Sequence, residues 1–88
     1  METINFTAEA LADLEHWKKS GNILILKRIR QLVQAIQNDS FNGIGKPEAL
    51  KHNLSGLWSR RINQEHRIVY KVERDIITIY SLRFHYSK

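Results

Sequence analysis

An RNA strand carries its own nucleophile, the 2′-hydroxyl. Cutting at the adjacent phosphate then needs a base for that proton, an acid for the leaving 5′-oxygen and a cation for the charge of the transition state. Glu or His, His or Tyr, and Arg or Lys suit those roles, and the second half of this 88-residue chain offers such a set. Glu48 stands where a Gly-rich loop meets a basic stretch, Arg67 lies in a strand-like segment, and His85 and Tyr86 come where the last strand runs out. Between them, Arg60 and Arg61 put a guanidinium on each face of one strand at once. A strand with one buried face rarely carries charge on both, which points to an anion outside the core.

Each residue also has a structural reading. Glu48 could be a first-turn acid at a helix N-terminus, Arg67 could pair with Glu65 or Glu73, and His85 could be an exposed tail residue. His52, His66 and His85 fit no metal-ligand spacing. Trp58, Tyr70, Tyr80 and Phe84 could stack on bases, although strand aromatics more often pack, and Trp58 reads as core or partner contact.

The charge distribution fits a polyanion partner and a plain soluble cationic surface equally. Residues 1–45 hold five Lys/Arg against five Asp/Glu, whereas residues 46–88 hold nine against four, so the net charge of +5 resides in the second half. A one-sided basic half is the footprint expected for a polyanion partner. No cysteine is present, which excludes disulfides, thiolate metal sites and a cysteine nucleophile. No apolar run reaches the roughly 20 residues of a membrane span, and "METINFTAEA" lacks the basic lead of a secretory signal, so a soluble cytoplasmic protein is expected. The familiar phosphate loop, HExxH and Mg²⁺-binding acidic cluster are missing too.

Two helices and a sheet must position these residues. "ETINF" predicts a short strand, Thr7 a helix cap with Glu9 in the first turn, and Gly21 the end of that helix. Residues 22–37 place Ile25, Ile29, Leu32 and Ile36 on one helical stripe. Gly43, Gly45 and Pro47 make residues 38–47 a loop, and 48–54 have room for one helical turn. Residues 57–63, 66–73 and 76–83 alternate as strands of an antiparallel meander, with Ile68, Tyr70 and Val72 on one side and Arg67, Val69 and Lys71 on the other. The prediction is one α+β domain over residues 1–88, its two N-terminal helices covering one face of a small antiparallel sheet and Arg67 and Lys71 facing the open side.

The stretch "GKPEALKHNLSGLWSRRINQEHRIVY" and the terminal "RFHY" resemble the YoeB/Txe family of bacterial toxins within the RelE superfamily. The resemblance implies the RelE-like microbial RNase fold and a ribosome-dependent endoribonuclease that cuts mRNA in the ribosomal A site without cofactor or metal. It assigns Glu48 as general base, Arg67 as the phosphate-stabilising cation, His85 as general acid and Tyr86 as its neighbour. Lys51 and Arg61 fall at basic positions that hold phosphate, and Lys71 joins them from its place on the sheet. Similar toxins often end at the His-Tyr pair, whereas Ser87 and Lys88 follow here. Implied partners are the 70S ribosome with its mRNA and a YefM/Axe-like antitoxin with an acidic C-terminal segment. Operator DNA would be met only through that antitoxin, and a homodimer is left open. The rival reading within the same fold is a non-catalytic RNA-binding or gyrase-poisoning toxin.

Overall fold

The computed structural model describes residues 3–83. The chain runs β1 (Thr3–Phe6), α1 (Ala8–Lys19), α2 (Ile23–Asn38), β2 (Glu48–Ala49), a 3₁₀ turn (His52–Leu54), β3 (Trp58–Arg61), β4 (Arg67–Glu73) and β5 (Ile76–Ser81). Both helices begin on side-chain caps: the Thr7 hydroxyl accepts from the Ala10 amide at 3.1 Å, and Asn22 Oδ1 accepts from the Ile25 amide at 3.2 Å. The first helix ends before Gly21, which adopts φ +69°.

The five strands form one sheet in the order β1-β5-β4-β3-β2. β3, β4 and β5 pair antiparallel as predicted and β2 adds a further antiparallel edge, but β1 lies parallel to β5, so the sheet is mixed. The meander starts at the far edge and folds back toward β1, and its last strand arrives running in β1's direction.

Burial explains the helix stripe. Ile25, Ile29, Leu32 and Ile36 are all buried, and they meet Ile68, Tyr70, Ile77 and Ile79 from the sheet together with Ala10 and Trp17 from α1. At roughly 1.5–3 kcal/mol for each large apolar side chain, this layer is the main favourable term holding helices to sheet. The first helix also grips the end of β5: Trp17 Nε1 donates to the Leu82 carbonyl, Asp13 accepts from the Leu82 amide, both at 2.9 Å, and the Thr7 hydroxyl donates to the Tyr80 carbonyl at 2.9 Å. His66 is a core residue, its ring 4.7 Å from that of Trp17.

Two local expectations change. Residues 48–54 contain no α-helical turn. Glu48 and Ala49 pair with Ser59 and Trp58, the Leu50 amide donates to the Leu57 carbonyl at 2.9 Å, and only His52–Leu54 coil as 3₁₀. Strand partners claim the backbone that the Pro47-Glu48 pair would have started as a helix. The sheet face away from the helices is also less open than the alternation implies: Ser59, Val69 and Ser81, neighbours across β3, β4 and β5, form a buried strip through its middle.

Candidate active site

On the face opposite the helices, β2, β3 and β4 bring the basic residues and Glu48 together. The register sets Glu48 beside Ser59, Ser59 beside Val69, and Arg61 directly opposite Arg67. Directly opposed residues of an antiparallel pair share a face, so Glu48, Arg61 and Arg67 all project on the same side. Arg67 Nη1 reaches to 3.8 Å from Glu48 Oε1. The Arg67 side chain is only 21% exposed and the Glu48 side chain 68%, so a covered cation stands beside a carboxylate free to move.

Arg61 and Arg67 are like charges directly opposite each other across the β3–β4 ladder, an arrangement that destabilises a sheet unless an anion lies between them. Nothing about folding asks for it. Lys71, four residues further along β4 from Arg67 on the same side, is half-exposed and lies 3.7 Å from Glu73. Lys51 is exposed just before the 3₁₀ turn. Among the described residues neither Lys51 nor Arg61 has an ion-pair partner, and Arg67 pairs with neither Glu65 nor Glu73. Glu65 instead approaches His66 at 3.6 Å, and Glu73 approaches Lys71.

Arg60 departs from expectation. Its side chain is fully buried on the helix side of the sheet, where it cannot meet an external anion. Nε donates to the Tyr70 hydroxyl, Nη1 to the Ile44 carbonyl, and Nη2 to the Asp39 and Asn42 carbonyls, while the Tyr70 hydroxyl donates to the Ser40 carbonyl at 2.8 Å. Of the two adjacent arginines, only Arg61 is available to a ligand. The sequence held the signal: Arg60 shares its parity with Trp58 and Ile62, both of which pack toward the core. Burial pushes the Tyr70 phenol above its ordinary pKa of 10.0, and the adjacent Arg60 offsets part of that rise. Trp58 packs against the core with its ring 4.6 Å from Phe41.

His85 and Tyr86 lie outside the described residues, as do Ser87 and Lys88. The described chain stops two residues short of His85, just past Leu82, whose amide and carbonyl are both held by α1. Among the described residues no group of three or more His, Asp or Glu side chains could hold a metal ion, and no helix is long and apolar enough to cross a membrane.

The model of the YoeB-like toxin of bacterial type II toxin-antitoxin systems matches residues 6–86. A "Toxin YoeB" of Synechocystis is 56% identical over 73 residues, 82% of this chain and 84% of that protein. Among solved structures, the YoeB dimer of Staphylococcus aureus superposes with a TM-score of 0.88 at 41% identity, covering 97% of this chain and 98% of that one. The YoeB-YefM complex of the same organism gives 0.87 at 41% identity, covering 98% and 99%. The match spans both helices, the Gly-rich loop and the sheet face that carries Glu48, Arg61 and Arg67, and the chain belongs to the YoeB-like family of bacterial type II toxins.

Proposed function

We propose that this protein is a ribosome-dependent endoribonuclease that cuts mRNA in the ribosomal A site, using the RNA's own 2′-hydroxyl as nucleophile, and so arrests translation. The observation that carries the reading is the 3.8 Å approach of Glu48 to Arg67 on the exposed side of the sheet. The 2′-oxygen and the phosphorus it attacks lie about 3–3.5 Å apart in a near-attack geometry. A base and a cation that close to each other can therefore serve the two atoms together.

In the proposed reaction the incoming phosphate takes over Arg67 and releases the Glu48 carboxylate. Glu48 accepts the 2′-hydroxyl proton as the oxygen attacks phosphorus, Arg67 meets the charge on the phosphorane oxygens, and His85, with Tyr86 beside it, protonates the departing 5′-oxygen. The products are a 2′,3′-cyclic phosphate and a 5′-hydroxyl. Arg61, Lys51 and Lys71 hold neighbouring phosphates. The donor set supports a route without metal, since carboxylates are scattered among cations in the basic half.

A shallow face can bind RNA but cannot alone align a flexible strand for in-line attack, and the ribosome supplies that alignment. The YoeB-YefM complexes of S. aureus support a cognate antitoxin for this chain, one whose acidic C-terminal segment orders on the basic face and blocks it. The S. aureus dimer supports self-association as a further assembly.

Mapping the fragment ends on programmed ribosomes tests the proposal. Fragments should carry 5′-hydroxyl and 2′,3′-cyclic or 3′-phosphate ends, and the copurified antitoxin should suppress them. Arrested translation with intact mRNA would favour a non-catalytic poison.

A further inference from the structure

Arg60 takes a charge into the core and meets no carboxylate there. Its partners are a hydroxyl and three carbonyls: Tyr70 Oη at 3.1 Å, Ile44 O at 3.2 Å, Asn42 O at 3.1 Å, and Asp39 O. A buried guanidinium is tolerated only when its donors are met, and all three carbonyls come from one loop, residues 39–47. The Tyr70 hydroxyl bond to Ser40 fastens the same loop to β4.

The glycines confirm how closely the loop is drawn down. A Cβ at Gly43 would stand 3.2 Å from Arg60 Nη1, and one at Gly45 would stand 2.8 Å from Leu32 Cδ2 and 3.0 Å from Arg60 Cβ. The Gly45 carbonyl accepts from the Arg61 amide at 2.7 Å. Three residues later the chain enters β2 as Glu48. That strand has only two residues, too few to fix its own position, so the loop leading into it governs where the carboxylate sits.

We propose that Arg60 is a positioning residue for Glu48, on the reading above that Glu48 is the base: it anchors loop 39–47 from the core side so that the carboxylate meets Arg67 on the other face. The adjacent arginines divide the work. Arg61 meets RNA, and Arg60 holds the loop that delivers the base.

The test is Arg60→Lys in the full-length protein, followed by single-turnover cleavage on programmed ribosomes. An ammonium is a point donor and cannot span the hydroxyl and the spread carbonyls. The rate at saturating toxin should fall on the order of 10- to 100-fold, with the half-saturating concentration within about 2-fold of wild type. Hydrogen exchange at the Arg61 amide should quicken as Gly45 releases it. Added to Glu48→Gln, the same change should cost less than about 2-fold more, because the base it positions is already gone. A wild-type saturating rate for Arg60→Lys would overturn the proposal, as would an undiminished loss in the Glu48→Gln background. Full activity of Glu48→Gln alone would instead overturn the base assignment, and the positioning role with it. If Arg60→Lys fails to melt cooperatively, Tyr70→Phe, which removes only the Ser40 tether and one partner of Arg60, decides through the same readouts, with a several-fold loss at saturation expected and none overturning the proposal.

Discussion

Glu48 and Arg67 come from strands that are not neighbours, with β3 between them, yet their charged ends lie 3.8 Å apart on one face of the sheet. A partly exposed pair of this kind contributes about 0–1 kcal/mol to stability. Across the ladder Arg67 also faces Arg61, a repulsive neighbour. The fold therefore has little use for the arrangement, which suits an RNA site.

Activity and stability should separate on that account. Glu48→Gln, Arg67→Ala and His85→Gln should each slow ribosomal mRNA cleavage by about 10² or more. Thermal denaturation of the first two should show a change of at most about 1 kcal/mol. A large loss of melting temperature with cleavage in proportion would return these residues to a structural role.

Salt dependence should rank the phosphate contacts. Each cation lost from a single-stranded contact lowers the log-log salt slope of binding by about 0.7. Arg61→Ala should show that full decrement. Lys71→Ala should show less, because Glu73 at 3.7 Å already shares its charge. Equal decrements, or none for Arg61, would contradict the assigned face.

High pH should expose the Tyr70 tether. Burial raises the Tyr70 pKa above 10.0 in the folded protein, so the folded state holds this proton more tightly than the unfolded chain does. The contribution is complete below pH about 10 and declines as pH rises from there through the folded value. Tyr70→Phe should therefore melt lower than wild type at pH 8, and the gap should narrow above pH 10. A gap constant from pH 8 to 11 would refute the linkage.

Two glycines offer a matched comparison. Both Gly21 and Gly45 have positive φ, but a Cβ at Gly21 meets nothing within 4 Å, whereas one at Gly45 meets Leu32, Arg60 and the Arg61 backbone. Gly21→Ala should cost about 1 kcal/mol from backbone strain alone, and Gly45→Ala an additional 1–3 kcal/mol from overpacking. Chemical denaturation measures both, and equal costs would mean that the loop is not seated as described.

What the sequence reveals follows from how local each signal is. The stripe Ile25-Ile29-Leu32-Ile36, the Thr7 cap and the strand over Arg67–Glu73 depend on near neighbours, and all appear in the structure. Glu48 was legible as chemistry but not as a strand residue, because its partner Ser59 is supplied by tertiary pairing. The buried Ser59-Val69-Ser81 strip and the parallel placement of β1 likewise arise from contacts distant in sequence. The parity of Arg60 with Trp58 and Ile62 tells its side of the sheet, but three of its four acceptors are main-chain carbonyls, so residue identity alone does not show that a buried guanidinium is satisfied there.

In the proposed reaction the nucleophile is the RNA's own 2′-hydroxyl and its base is Glu48. Ribosomes require Mg²⁺, so chelation cannot decide it. The direct measurement places an mRNA with a 2′-methoxy group at the scissile nucleotide in programmed ribosomes and follows cleavage by the wild-type protein. Cleavage of the methoxy message should vanish while the unmodified message yields 5′-hydroxyl ends. Continued cutting of the methoxy message, or fragments with 5′-phosphate ends, would contradict the account.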